Sequence, residues 1–323
     1  MKRSTLGRAA IPAAVVLSLT LAACGGQNQA EAGGADAEGG AASGEVVTDG
    51  SSTVEPLTTA AGELFAEENS DINVSVATSG TGGGFEKFCL GQTDISNASR
   101  PISDEEIAIC EEEGVEYTEL RVATDALTVV TSTENDFITC LTVEELGTLW
   151  GPDAEGTITA WDQVNPEFPA EEIELYGPGT DSGTFDYFTD EVNGEEGASR
   201  SDYNASEDDN IIVQGVQGSP NALGYFGFTY FEENADSLKA IEIDGGEGCV
   251  APSAEAAEDG SYAPLARPLF IYVSNSAATE KPQVKEFVDF YSTNVNDIAT
   301  AAQFITLNDE QVGELETAVG ALG

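Results

Sequence analysis

The sequence predicts an α/β fold divided into two lobes, and three observations lead to this prediction. Short strand patterns alternate with helical patterns along the chain, an order typical of parallel sheets flanked by helices. Loops rich in serine, threonine and glycine follow several of these strands. Two longer β-prone segments, residues 120–130 and 267–274, can carry the chain into a second lobe and back. Each lobe is therefore expected to hold a mainly parallel sheet flanked by helices, and the two crossings form a hinge.

The elements of the first lobe follow from apolar periodicity and from capping residues. Apolar residues alternate in the strand patterns and recur at helical spacing in the helix patterns. Ser103 and Glu106 have the spacing of a capping box, for a helix that ends near Gly114. The predicted strands are residues 45–48, 72–76 and 93–98. The predicted helices are residues 85–90, 103–114 and 284–291, one that begins near Val54, and others from Asp297.

The second lobe has a similar alternation. Thr142 and Glu145 have the spacing of another capping box. Residues 222–231 combine glycine with aromatic residues, which predicts a strand or a pair of strands. The other predicted elements are a strand at residues 173–176, a helix at 185–192 and an exposed polar loop at 194–209.

The first 24 residues have the pattern of an export signal. Lys2, Arg3 and Arg8 accompany an apolar stretch that is too short to cross a bilayer as a mature helix. The residues Leu-Ala-Ala-Cys that end at Cys24 match the bacterial lipobox, whose cysteine is lipidated. A plain secretory signal is the alternative. We expect a lipid on Cys24 to anchor the protein to the outer face of the cell membrane.

Residues 25–44 predict a flexible tether. They are almost entirely glycine, alanine, glutamine, asparagine, serine and acidic residues, and such a segment cannot bury enough apolar surface to fold. The folded part follows the tether. We assign residues 45–125 together with 267–323 to lobe 1, and residues 126–266 to lobe 2.

Composition limits the class of protein. The formal net charge of −48 argues against binding to nucleic acid or to an anionic lipid surface, and it suits a saline habitat. The chain contains no histidine, so a Ser-His-Asp triad is excluded, and no lysine lies in a recognisable catalytic motif. We therefore expect a binding protein and not an enzyme. It is expected to act as a monomer, without a cofactor or a metal.

The cysteines beyond Cys24 indicate disulfides in an oxidising compartment. Three pairings of the four are open, and we favour the one that keeps each bridge within one lobe. A zinc site is the rival interpretation, but the cysteines lack the usual ligand spacing and there is no histidine. The favoured bridges are Cys89–Cys110 and Cys140–Cys249.

Three hydroxyl-rich loops carry the functional prediction: the first loop (residues 49–53), the second loop (79–84) and the third loop (177–184). A helix start presents unpaired N–H groups and the positive end of the helix dipole, which suits an anion. One such loop is an ordinary cap or turn, whereas three of them indicate a pocket for an oxyanion. The predicted donors are Ser52, Thr53, Val54, Ser79, Gly80, Thr81, Ser182, Gly183 and Thr184.

A phosphate site also needs charged groups. Arg100 is the preferred cation, because a guanidinium binds an oxyanion through two parallel hydrogen bonds. The alternative is a surface arginine that pairs with an acid. Asp181 is the preferred acceptor for the proton of phosphate, with Asp94 as the second candidate, although Asp181 can instead cap its helix. Arg267 is expected to be structural, as are Arg121 and Arg200.

Several motifs resemble the PstS family of phosphate-binding lipoproteins. They are DGSSTV, SGTGGGF, NASRPI, GPGTDSGTFDYF and PNALGYFG, and they occur in family order over nearly the whole chain after the tether. The resemblance implies a type II periplasmic-binding-protein fold that closes on inorganic phosphate. It also implies delivery of phosphate to the transmembrane subunits of an ABC permease. The alternatives are a receptor for another oxyanion and a phosphate sensor without transport.

The sequence departs from the family pattern at two positions. The best-known branch has an aspartate where this chain has Arg100, and an arginine where this chain has Pro178. The charges are therefore expected to have exchanged lobes. Arg100 would act from lobe 1, and a carboxylate, Asp181, from lobe 2.

Overall fold

The computed structural model describes residues 42–180 and 182–322. The predicted export signal, Cys24, nearly all of the tether and Asp181 lie outside the described residues. No helix within the described ranges is both long enough and apolar enough to cross a membrane. The strands are β1 (Gly44–Gly50), β2 (Ile72–Thr78), β3 (Ile95–Ala98), β4 (Tyr117–Ser132), β5 (Cys140–Thr142), β6 (Glu174–Gly177), β7 (Asn204–Ala205), β8 (Ala222–Gly227), β9 (Leu238–Ala240), β10 (Glu242–Asp244), β11 (Cys249–Val250) and β12 (Ala266–Ser274).

The helices pack on both sides of these strands. The capping boxes of Ser103 with Glu106 and of Thr142 with Glu145 are both present, so these two helix starts are confirmed. The helices are α1 (Glu55–Glu68), α2 (Gly80–Cys89), α3 (Asp104–Glu113), α4 (Val143–Trp150), α5 (Gly183–Asn193), α6 (Asp209–Gln217), α7 (Phe228–Asn234), α8 (Ala254–Glu258), α9 (Asn275–Glu280), α10 (Pro282–Thr293), α11 (Val295–Ala301) and α12 (Asp309–Gly320).

One long sheet runs through both lobes. Its strand order within the described residues is β2-β1-β3-β12-β4-β8-β6-β7, with β9 also paired to β4. The pairs of β1 with β2 and β3 are parallel, as are the pairs of β6 with β7 and β8. The central pairs, β3 with β12, β12 with β4 and β4 with β8, are antiparallel. The predicted α/β fold with two lobes is confirmed, and β4 and β12 are the strands that join the lobes.

Separate apolar cores support the two ends of this sheet. One core surrounds Val46, Phe65 and Phe287, and α1, α10, α11 and α12 contribute to it. Another surrounds Trp150 and Trp161, with residues between 127 and 265. The lobe boundaries given above stay a prediction of which residues move together. Ala42 packs on the first core, and β1 starts at Gly44, the last residue of the predicted tether.

Two helices differ from the sequence prediction. The second loop was expected to precede a helix at residue 85, but α2 begins at Gly80 and includes the glycine run. Glycine is needed there because a Cβ on Gly84 would lie 2.5 Å from the Cα of Gly50, so α2 can pack directly on β1. Residues 228–231 were expected to be strand and form the start of α7. Phe228 and Phe231, three residues apart, share a helix face, and their rings contact each other.

Disulfides tie elements together within each lobe. Cys89 bonds to Cys110, which links the end of α2 to α3. Cys140 bonds to Cys249, which links β5 to β11 in a small sheet with the strand order β11-β10-β5. The favoured pairing is confirmed.

Candidate functional site

A cleft of about 460 Å³ lies between the first two hydroxyl loops and α5. On one side it is lined by residues 51–53, 79–82 and 99–101, which follow β1, β2 and β3. These three strands are parallel neighbours, so their carboxyl ends meet at the same edge of the sheet, where ligands of α/β folds bind. The opposite side and the hinge contribute Asp186, Tyr187, Asp190, Glu191, Glu196, Arg267 and Pro268.

The first loop leads directly into α1 and faces both other parts of the cleft. Ser52 Oγ donates to Asp186 Oδ2 of α5 at 3.3 Å. Thr53 Oγ1 accepts a hydrogen bond from Arg267 Nη2 at 2.9 Å. Val54 is fully buried as the cap residue of α1, so its side chain belongs to the core and its backbone to the helix start. The structure thus places Ser52 and Thr53 in the cleft wall, as the sequence predicts.

The second loop is the first turn of α2, and its side chains bind other protein groups. Ser79 Oγ donates to Asp49 Oδ1 at 2.7 Å, and Lys87 pairs with the same carboxylate. Burial of Asp49 opposes ionisation, but the hydrogen bonds from Lys87 and Ser79 lower its pKa overall. Thr81 Oγ1 lies 3.0 Å from Ser99 Oγ. Ser79, Gly80 and Thr81 all line the cleft, where the start of α2 adds a second helix N-terminus.

The described residues of the third loop reach the first loop and not the cleft wall. A Cβ on Gly183 would lie 3.2 Å from the Cα of Thr53, so the start of α5 packs closely on the first loop. Ser182 Oγ accepts from the N–H of Thr184 at 3.2 Å and caps α5. Thr184 lines a smaller cavity of about 130 Å³ that also includes Asp125 and Asp209. Gly183 is therefore at the contact between the lobes, and Ser182, Gly183 and Thr184 do not line the larger cleft.

Arg100 lines the cleft and is paired with an acid. Its Nη1 and Nη2 each donate to a carboxylate oxygen of Glu106 at 2.8 Å, and 45% of the side chain is exposed. The hydrogen bonds to Glu106 raise the pKa of Arg100. Arg100 thus lines the cleft, as the sequence analysis expects of a ligand group. It also pairs with an acid, as the alternative of a surface arginine expects.

Arg267 lines the cleft as well, although the sequence analysis assigned it a structural role. Its Nε lies 3.4 Å from Asp125 Oδ2, and its guanidinium carbon lies 3.4 Å from the ring centre of Tyr187. The signal for this residue was present in the two crossing segments. Residues 120–130 contain one acid, Asp125, and the second crossing begins with an arginine, so the two charges can pair in the hinge.

Acidic side chains of α5 face the cleft from the second lobe. Burial raises the pKa of Asp186, while the hydrogen bond from Ser52 and the charge of Arg267 act in the opposite direction. Asp94 does not line the cleft, because it binds Lys281 at 2.6 Å and the N–H of Val47 at 3.0 Å. Within the described ranges, no group of three or more possible ligand residues is placed to hold a metal ion. Asp186 is a carboxyl group at the site that sequence reasoning missed.

Comparison with known proteins agrees with this geometry. The profile described as PBP superfamily domain matches residues 35–294. Protein SphX of Synechocystis sp. is 45% identical over 99% of this chain and 92% of its own length. The phosphate-binding protein PstS of Staphylococcus saprophyticus is 40% identical over 95% of this chain and 93% of its own length.

A solved structure is similar over most of the chain. The crystal structure described as a possible phosphate binding protein from Planctomyces limnophilus has a TM-score of 0.83 and 42% sequence identity. The similarity covers 86% of this chain and 98% of that one. With the profile match and the relatives above, the conclusion is that this chain belongs to the PBP superfamily and, within it, to the family of PstS phosphate-binding proteins.

Proposed function

We propose that this protein captures inorganic phosphate outside the cell membrane and delivers it to the transmembrane subunits of an ABC permease. The observation that carries the proposal is the cleft at the carboxyl ends of β1, β2 and β3. Two helix starts and two arginine side chains face it among the described residues. The names of the PstS and Planctomyces limnophilus relatives support phosphate as the ligand.

The proposed ligand donors come from both lobes. The starts of α1 and α2 offer backbone N–H groups and the positive ends of their dipoles. Hydroxyl groups supplement them, and the end of the third loop, at the start of α5, lies against the first loop from the other lobe. The proposed set is Ser52, Thr53, Val54, Ser79, Gly80, Thr81, Arg100, Asp181, Ser182, Gly183 and Thr184.

This many donors is sufficient for tight binding. A micromolar ligand needs a net binding free energy of about 8 kcal/mol. Each hydrogen bond to a charged group contributes on the order of 1.5–3 kcal/mol. Several such bonds therefore offset the cost of removing water from the anion. We further propose that the protein acts as a monomer that a lipid on Cys24 holds at the membrane.

Titration calorimetry tests the ligand. The protein is purified without residues 1–24, so that it carries no lipid. It is titrated in parallel with phosphate, arsenate, sulfate and molybdate. We expect one phosphate per chain and much weaker binding of sulfate. A preference for sulfate or molybdate contradicts the proposal and supports a receptor for another oxyanion.

Transport needs a separate measurement in the native host. Deletion of the gene is expected to abolish phosphate uptake at low phosphate concentration, and the intact gene is expected to restore it. Cells that lack the gene but take up phosphate normally would indicate a sensor without transport.

A further inference from the structure

Arg100 and Arg267 both line the cleft, but they differ in how many of their hydrogen-bond donors are already bound to a carboxylate. Arg100 already binds both oxygens of Glu106 through its terminal nitrogens, and nearly half of its side chain is in solvent. A guanidinium that holds a bidentate carboxylate has few donors left for a second anion. An exposed charge is also strongly screened by water and salt. Arg100 is therefore poorly placed to neutralise a bound ligand.

Arg267 has a different environment. Its side chain is 15% exposed, and its acidic partner among the described residues, Asp125, lies 3.4 Å from Nε. Its Nη2 donates to a neutral group, the hydroxyl oxygen of Thr53. The charge of Arg267 also acts on the carboxyl groups of Asp186, Glu191 and Glu196. Its one ion pair within 4 Å in the described ranges is with Asp125, so no bidentate carboxylate takes up the guanidinium. It lies in a partly desolvated site, where charges interact more strongly than in water.

Three parts of the fold hold this guanidinium in place. Asp125 and Arg267 are paired residues of β4 and β12, the two strands of the hinge. Tyr187 of α5 stacks on the guanidinium, and its hydroxyl donates to the carbonyl oxygen of Pro264 at 2.6 Å, which fixes the ring. Thr53 belongs to the first loop. A planar group that is already ordered loses little conformational entropy when it binds an oxyanion.

The contact with Thr53 adds a second donor. The oxygen of its hydroxyl group accepts from Arg267, so the hydroxyl hydrogen is available for another acceptor. A hydroxyl group that is polarised by a cation donates a stronger hydrogen bond. Arg267 and Thr53 therefore act together beside the start of α1.

We propose that Arg267 supplies the positive charge that binds phosphate in this chain, and that Asp125 positions it from the neighbouring hinge strand. The assignment rests on the proposed function and names a residue of the same site. Arg267 contacts Thr53 on the first loop and Tyr187 on α5, so the charge of the ligand is bound where the two lobes meet. Arg100 then acts at the mouth of the cleft.

Titration calorimetry tests the assignment. The protein without its export signal is titrated with inorganic phosphate. Arg267→Gln is expected to weaken binding by about 100-fold or more, because it removes a poorly solvated charge. Arg100→Gln makes the same chemical change at the other arginine of the proposed ligand set. It is expected to weaken binding by less than about 10-fold, because that charge is exposed and already paired with Glu106. Arg267→Lys keeps the charge but loses the planar fork, so its affinity is expected to fall between the wild type and Arg267→Gln.

A double-mutant cycle tests the positioning role of Asp125. Asp125→Asn alone is expected to weaken phosphate binding by about 10-fold, a coupling of the size seen between contacting residues. In the Arg267→Gln background the same change is expected to have no further effect, because the group that it positions is absent. Additive losses would show that Asp125 does not act through Arg267.

Thermal unfolding of each variant shows whether it folds. Arg267→Gln leaves Asp125 buried without its partner, so the double variant Arg267→Gln/Asp125→Asn, in which both charges are absent, is measured as well. Wild-type affinity in either folded variant, or a larger loss in Arg100→Gln, overturns the assignment. A wild-type protein that does not bind phosphate contradicts the proposed function itself, so the two failures are distinguishable.

Discussion

Gly183, the first residue of α5, lies directly against Thr53 of the first loop. The position of a Cβ on Gly183 is 3.2 Å from the Cα of Thr53 and 3.2 Å from its Oγ1. Both neighbours are on the opposite lobe, and one of them is backbone. The close approach of the two lobes therefore depends on the absence of a side chain at residue 183.

Gly183→Ala is expected to hold the lobes apart and to weaken phosphate binding by about 10-fold, the cost of a methyl group in a packed contact. The melting temperature should change little, because the contact is between lobes and not within a core. Calorimetry and thermal unfolding measure the two effects. Gly313→Ala is the control, since a Cβ there meets nothing within 4 Å. Equal affinity in both variants would show that the contact does not limit closure.

The disulfides are expected to differ in their effect on stability. Cys140 and Cys249 are separated by 109 residues, and Cys89 and Cys110 by 21. By the chain-entropy relation, loops of these sizes contribute about 4.8 and about 3.3 kcal/mol to stability. Urea denaturation of the paired serine variants measures both losses. The reverse order would mean that local strain or residual structure outweighs loop length.

The stability of the protein is expected to depend on the ionisation of Asp209. Burial, assisted by the charges of Asp208 and Glu207, raises its pKa from 3.8 to about 6. The folded state therefore binds the proton more tightly than the unfolded state, so this group makes stability fall as pH rises from 3.8 to about 6. Asp209→Asn removes the effect.

The comparison is the difference in unfolding free energy between Asp209→Asn and the wild type. The stability of Asp209→Asn relative to the wild type should be greater at pH 8 than at pH 4. Asp236→Asn, the same substitution at an exposed residue, is the control for the loss of one carboxylate. A difference that is independent of pH for Asp209→Asn would contradict the prediction.

Selectivity for phosphate is expected to need a carboxyl group that accepts the proton of the ligand, because sulfate has no proton to donate at neutral pH. Asp181 remains the candidate from sequence, and Asp186 is the candidate that lines the cleft. The two variants to compare are Asp181→Asn and Asp186→Asn. The one that removes the proton acceptor should narrow the preference for phosphate over sulfate, and the other should leave that preference unchanged. Competition titrations with sulfate distinguish the two. Unchanged selectivity in both would assign the role to another group.

Local signals explain which features the sequence predicts well. A capping box such as that of Ser103 and Glu106 requires two residues three positions apart, and both can be read directly. The start of α2 was missed because a glycine run has a low helix propensity, and only packing on Gly50 favours a helix there. Tertiary contact thus outweighs propensity at that position.

The role of Arg267 could not be read in the same way. Its contacts are Asp125, Thr53 and Tyr187, which lie on two other strands or loops and on α5. The antiparallel register of β12 and β4 brings Asp125 beside Arg267, and the folding of the first loop and α5 around the cleft brings Thr53 and Tyr187 to it. Asp186 was missed for the same reason, since its partner Ser52 is 134 residues away. Residue type alone does not distinguish Asp186 from the many other acidic residues of this chain.

The adjacency of β4 and β12 makes the second lobe a topological insertion. Ala126 and Ala266 are opposite each other in the register, so the chain leaves the first lobe and returns to it at positions about 5 Å apart. A short turn between these two residues would convert the pair of strands into a hairpin and leave the strand order of the remaining domain intact. With the predicted boundary at residues 126–266, we expect that the second lobe can be excised or exchanged as a unit in engineered chimaeras.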